Sequence, residues 1–496
     1  MQNVSQLIEL PNEILNKIIV FIPKLKRYNY RLINKKLKNF IDYIINNYEA
    51  TFNKIVANWE DKLKFLVKNL FASNSENHII YLYYNVEESR KYMSYYAAYN
   101  NNVHLIELLK LNNYLDILKG AAKGGHINLV EYAIANGYND YNIIASYAAM
   151  GGHLDLVKYA VKLGANDFNL IAKSAARGGH MNIIKYAIEL GANNYNEITS
   201  SAARGGHLNI IKYFVENGVK NYNEIAEAAA RGGYLDIVKY AVELGARNYQ
   251  KIANAAARGG HLDIVKYAVE KGARNYHDIT LDGAMGGHLN IVEYGVSLGV
   301  DDYINISRVG AAYNHLNIVK YGVTKGNISR SEISNIATDA SLKGNSRIVK
   351  YAISKGASYF AVYAGGAAKS GNFKLVKYLV NKKGANNLNR IAQNAAEFGH
   401  FDIVLFAVEK GANNFNDIAY YAAYNNHLVI VKYAVKKGAN NFNNIALAAV
   451  IKNYLNVVKY AIRKGANNYE AIRNEAIKFG HNNIVDYIDS IMQNVQ

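Results

Sequence analysis

The chain has 496 residues, half of them hydrophobic, no cysteine, and a formal net charge of +18. The lack of cysteine excludes disulfides and thiolate zinc sites and fits a reducing, intracellular compartment. The charge admits a polyanion partner such as nucleic acid. Asn, Ile, Lys and Tyr all have A/T-rich codons, however, and a coding bias that loads any solvated surface with Lys is the simpler source.

Residues 1–23 lack the basic start, apolar core and cleavage site of a signal peptide. The apolar run Ile18–Ile22 is far too short to cross a bilayer, so no membrane span is expected. Pro11 and Pro23 are the only prolines. Pro11 suits the first position of a helix, and Asn12 and Glu13 suit its positive end. Ile14, Leu15, Ile18, Ile19 and Ile22 form an apolar face, and Pro23 ends the helix. Leu32, Ile33, Leu37, Phe40 and Ile41 mark a second stripe.

This N-terminal stretch resembles an F-box. Leu10, Pro11, Glu13, Ile14 and Leu15 match its opening motif, Ile22 and Pro23 its central break, and Arg31, Leu32, Ile33 and Lys35 its basic segment. The resemblance implies docking on a Skp-type adaptor of a cullin-RING ubiquitin ligase. Two departures stand against it: a short segment after Pro23, and Leu37 where an aromatic residue is common. The alternative is a helical cap that shields the first repeat. The expected organisation is an N-terminal module over 1–50, a helical connector over 51–94 and a repeat array over 95–496. Trp59 in the connector reads as packing, and Ser73–His78 as a loop.

The array has a period of 27 residues. Tyr132, Tyr159, Tyr186, Tyr213, Tyr240, Tyr267, Tyr294 and Tyr321 keep that spacing; a gap of 30 precedes Tyr351, and one of 28 separates Tyr378 from Phe406. A fixed period of this size marks a solenoid, which grows by stacking units. In the unit from Asn248 to Gly272, Ile252, Ala255 and Ala256 share one face of a first helix, and Gly259-Gly260 stops it. Leu262, Ile264, Val265, Tyr267, Ala268 and Val269 give a second helix an apolar surface too wide for one neighbour. The expected fold is all-α, an α-solenoid of tandem helix–turn–helix repeats.

The unit resembles the ankyrin repeat, as Ala202, Ala203, Gly206, His207, Leu208, Ile211 and Gly218 illustrate, and again Ala422, Ala423, His427, Leu428, Val431, Gly438 and Ala439. The family unit is about 33 residues long. The missing residues fall where it places a projecting β-hairpin, so the hairpins should be short or lost. The longest should lie near Ile328–Glu332, in the 30-residue unit. A leucine-rich repeat also fits the period but needs a strand that no unit shows. The F-box-plus-ankyrin layout and the Asn/Ile/Lys/Tyr-rich composition look like the ankyrin-repeat proteins of large DNA viruses of amoebae. That resemblance implies action in the host cytoplasm.

Equivalent residues in a stack stand roughly 10 Å apart. His126, His153, His180, His207, His261, His288 and His315 are therefore too far apart to share a metal, and they read as fixing the inter-helix turn by hydrogen bonds. The Tyr ladder reads as core. Lys158, Lys185, Lys212, Lys239 and Lys266 read as a solvated face, with Glu189, Glu216, Glu243 and Glu270 as helical partners of the last four. Arg177, Arg204, Arg231 and Arg258 end the first helix in four successive units. They either complement the helix dipole or form a stripe for an acidic partner on what the ankyrin resemblance makes the concave face. No nucleophile elbow, phosphate loop, dinucleotide fingerprint or zinc-protease motif occurs, so neither an enzyme nor a cofactor is expected. The reading is a protein-interaction scaffold, recruiting substrates to a ligase if the F-box resemblance holds. Its alternatives are a basic solenoid for nucleic acid and a purely structural repeat protein.

Overall fold

The computed structural model describes residues 90–493, together with residues 67, 68 and 79. The F-box-like residues Leu10, Pro11, Glu13, Ile14, Leu15, Ile22 and Pro23, the boundary at residue 50 and most of the connector lie outside the described residues. The described chain is built of tandem helix pairs, with no strand among the described residues. It forms two compact units, one ending at Asp301 and one beginning at Asp302.

In the first unit the pair Tyr249–Gly259 and Leu262–Lys271 is representative. The Asn248 side chain accepts a hydrogen bond from the Lys251 amide, closing the helix N-terminus. Asp140, Asp167, Asn194 and Asn275 do the same for their helices. Ala255, Ala256 and Ala257 are buried. Such small side chains let first helices of successive repeats pack closely, whereas neighbouring second helices touch far less. Ile252, Ile264, Val265 and Ala268 are at most 1% exposed and fill the space between. Full burial of each Ile is worth about 1.5–3 kcal/mol.

Only Gly272 to Asn275 separate this pair from the next helix, which starts at Tyr276. No hairpin projects there, so the 27-residue unit is an ankyrin-like helix pair without its finger. The opening repeat, expected from about Tyr95, comprises Arg90–Tyr99 and Val103–Leu108.

The second unit stacks seven helix pairs of the same kind. Its 30-residue repeat corrects the expectation of a long finger near Ile328–Glu332. The connection after Lys325 is again four residues, and the extra three lengthen the first helix, Arg330–Leu342, to 13 residues. Ile333, Ile336, Ala337 and Ala340 are buried along it. They continue the helical apolar period, so the added turn gains core contacts that a loop would not.

Candidate partner-binding surface

The corner between the two helices decides what the arginine position can do. Gly260 ends the first helix at φ +89, where its amide bonds to the Ala256 carbonyl. A Cβ on Gly260 would come within 2.6 Å of the His288 ring in the next repeat. A Cβ on Gly259 would lie 2.6 Å from the Arg231 carbonyl of the previous one. Both glycines are therefore needed for backbone and ring to pass closely.

The histidines use that space. Nε2 of His207 lies 3.1 Å from the Arg177 carbonyl, and Nε2 of His288 3.1 Å from that of Arg258. His153 reaches Lys123, and in the second unit His400 reaches Lys369, both at 3.1 Å. The histidines do fix inter-helix turns by hydrogen bonds, and the turn each of these fixes is that of the preceding repeat. The histidines that make these bonds close orphan carbonyls of the preceding repeat's helix, so they lock repeat to repeat. In the second unit Asn372 takes this place and donates to the Gly344 carbonyl at 2.7 Å. Burial lowers the pKa of His180, His288 and His427, against the opposing pull of their carbonyl bonds. Burial thus favours the neutral ring, and the nitrogen facing the carbonyl donates.

At Arg177 and Arg258 a histidine engages the backbone carbonyl, so the guanidinium is not needed to close the helix end there. Arg177 and Arg204 are exposed. Among the described residues neither has a carboxylate within 4 Å. Arg231 bonds to Glu227 on its own helix at 3.4 Å. Arg258 holds Asp282 of the next repeat at 2.7 Å. Burial pushes the Asp282 carboxyl up, and Arg258 opposes the shift. Partial burial, then the charges of Arg231 and Arg177, lower the Arg204 pKa. The four arginines are not equivalent: an open pair, Arg177 and Arg204, adjoins an engaged pair.

The second helices carry a different ladder. Nζ of Lys158, Lys185, Lys212, Lys239 and Lys266 lies 5.6 to 5.8 Å over the ring of Tyr186, Tyr213, Tyr240, Tyr267 and Tyr294 in the next repeat. The expected helical pairing with Glu189, Glu216, Glu243 and Glu270 gives way to cation–π contacts between repeats. A Lys over a ring already half-packed keeps most of its hydration and gains about 0.5–1 kcal/mol.

A third ladder went unread in the sequence. Asn169 Oδ1 accepts from the amides of Asn193 and Asn194, at 2.9 and 3.0 Å. Asn142, Asn223 and Gln250 do the same in their repeats, and Asn416 and Asn443 in the second unit. The signal was present as the amide residue that follows the aromatic residue opening these first helices.

Among the described residues no group of three His, Asp or Glu side chains could hold a metal ion. No described helix is long and apolar enough to cross a membrane. A family model for ankyrin repeats in three copies matches residues 364–443. No curated protein matches the chain. Among solved structures the chain is similar to the pentatricopeptide repeat protein PPR10 from maize, at 10% identity over 92% of this chain and 78% of that one. The TM-score is 0.24, too low to carry an argument.

Proposed function

We propose that the repeats form a protein-binding scaffold and that Arg177, Arg204, Arg231 and Arg258 receive an acidic segment of the partner. Ankyrin repeats typically bind proteins, and residues 364–443 match them. The observation that carries the reading is the state of Arg177 and Arg204. Their guanidinium groups are exposed, and among the described residues neither has a carboxylate partner. The stripe spans roughly 30 Å at about 10 Å per repeat, which matches about nine extended residues. Charge-assisted bonds to carboxylates would be partly desolvated there and stronger than at an open surface.

The test is affinity capture with the full chain and with a variant carrying alanine at all four arginines. A partner held by the parent and lost by the variant supports the reading. Equal capture of every partner counts against it. The Leu10-Pro11 motif supports a second layer, in which residues 1–50 hand the captured protein to a Skp-type adaptor. Leu10→Ala with Pro11→Ala should then abolish adaptor binding while leaving partner capture intact.

A further inference from the structure

A cleft in the second unit lies on the exposed side of three successive first helices. Leu342 ends Arg330–Leu342; Val362, Gly365 and Lys369 follow one face of Phe360–Lys369; Arg390 and Asn394 come from Leu388–Glu397. Its volume is about 310 Å³. That is the small end of the range for ligand pockets, and it suits one anchoring side chain.

The floor is bare helix backbone at Gly365 and Gly366. Gly366 is required by packing, since a Cβ there would stand 2.2 Å from Ser341 Oγ. Gly365 is less constrained: its Cβ would meet only the Asn394 amide nitrogen, at 3.1 Å, a tight contact that a small shift of the amide would relieve. In the first unit, Lys173, Ser200, Glu227 and Asn254 hold the matching place, seven residues before the turn histidine or its tyrosine substitute. Glycine inside a helix is destabilising relative to alanine. At Gly365 the missing side chain opens the cleft and leaves room for the Asn394 amide. The Asn394 side chain donates to the Gly365 carbonyl at 3.0 Å and stiffens the floor.

The walls are apolar and the rim is basic. Val362 is 51% exposed and Leu342 46%, both high for aliphatic side chains. The lining holds two cations, Lys369 and Arg390, and no acidic residue. Lys369 is partly answered by Glu397 at 3.6 Å. Among the described residues the Arg390 guanidinium donates to Gln393 at 3.5 Å, and no carboxylate lies within 4 Å of it.

We propose that this cleft docks a peptide segment of a protein partner through one large aliphatic side chain, with a carboxylate one or two residues away. The aliphatic group enters over Gly365 between Leu342 and Val362, and the carboxylate takes the open guanidinium of Arg390. A desolvated anchor in a pocket beside a charge-assisted bond to an arginine can carry most of the energy of a peptide contact. The proposal shares with the scaffold reading only that the partner is a protein. It uses none of the arginine stripe.

The experiment pans a displayed random-peptide library against the full chain, then measures the enriched peptides on purified variants. Enriched peptides should carry Leu, Ile or Met beside Asp or Glu. Gly365→Leu, which fills the cleft, should weaken them at least tenfold, and Arg390→Ala should weaken them severalfold. Gly365→Ala keeps most of the space once the Asn394 amide shifts slightly, and it should retain binding; its melting, read beside that of Gly365→Leu, is the folding control. Alanine at Arg177 and Arg204 should leave these peptides unaffected, so failure of the stripe and failure of the cleft are separable. Enriched peptides that bind Gly365→Leu as well as the parent would overturn the proposal, as would a library that yields none.

Discussion

Nε2 of His288 lies 3.1 Å from the carbonyl oxygen of Arg258, thirty residues back in the chain and one repeat down the stack. The bond joins a side chain at the start of one second helix to the end of the preceding repeat's first helix. It makes each helix terminus depend on the next repeat, which is the nearest-neighbour coupling expected of solenoids.

Replacing His288 by Ala should remove that coupling. The loss combines a hydrogen bond with the ring's packing on Gly260, and about 1–2 kcal/mol is expected. His288→Asn should lose less, because Asn372 at the matching position still reaches the preceding repeat, through the Gly344 carbonyl at 2.7 Å. Urea unfolding of the three proteins checks the order. A His288→Ala protein as stable as the parent would show that the bond is incidental.

The same ladder predicts a dependence on pH. Burial holds the folded pKa values of His180, His288 and His427 below the ordinary 6.5. Between the folded and unfolded values the unfolded chain binds more protons, so stability falls as the pH falls. The contribution is complete above about 6.5 and is lost as the pH drops through the folded values. Melting should therefore fall from about pH 7.5 to 5.5. A triple variant with Asn at these positions should fall less, whatever the carboxylates contribute. Equal slopes would contradict the assignment.

Asn169 should matter to the connection it spans. Asn169→Ala frees the amides of Asn193 and Asn194, and Asn169→Asp keeps an acceptor for them. The connection is exposed, so water replaces much of the bond and the expected cost is about 0.5–1.5 kcal/mol. Hydrogen exchange at those two amides should accelerate in the alanine variant and not in the aspartate variant. No acceleration would mean that water already serves these groups.

Helix pairs, the glycine stops and the loss of the finger were all legible in the sequence, because apolar period and turn residues are local properties. Direction of contact between repeats was not. His207 reads as a turn residue until the stack places it on the Arg177 carbonyl. Lys212 has Glu216 four residues on, yet Tyr240 of the next repeat covers its ammonium. The three extra residues after Tyr321 could extend a loop or a helix. Burial of Ile336 and Ala340, a tertiary fact, decides for the helix. The cleft depends on what Gly365 lacks, which becomes visible only once Leu342 and Arg390 stand on either side. The arginine stripe was legible as a pattern, but its division into open and engaged pairs rests on Glu227 and Asp282, which no local spacing singles out together.

On the proposed function, Arg177 and Arg204 serve the partner while Arg258 also holds Asp282 within the fold. Two double-alanine variants, one at Arg177 and Arg204 and one at Arg231 and Arg258, should be melted and titrated with a fluorescent oligo-glutamate peptide. The first pair should weaken the peptide at least tenfold and leave melting unchanged. The second should lower stability by about 1–2 kcal/mol, since Arg258→Ala strands the buried Asp282 carboxylate beside a half-exposed site. Unchanged peptide affinity in the Arg177 and Arg204 variant would contradict the account.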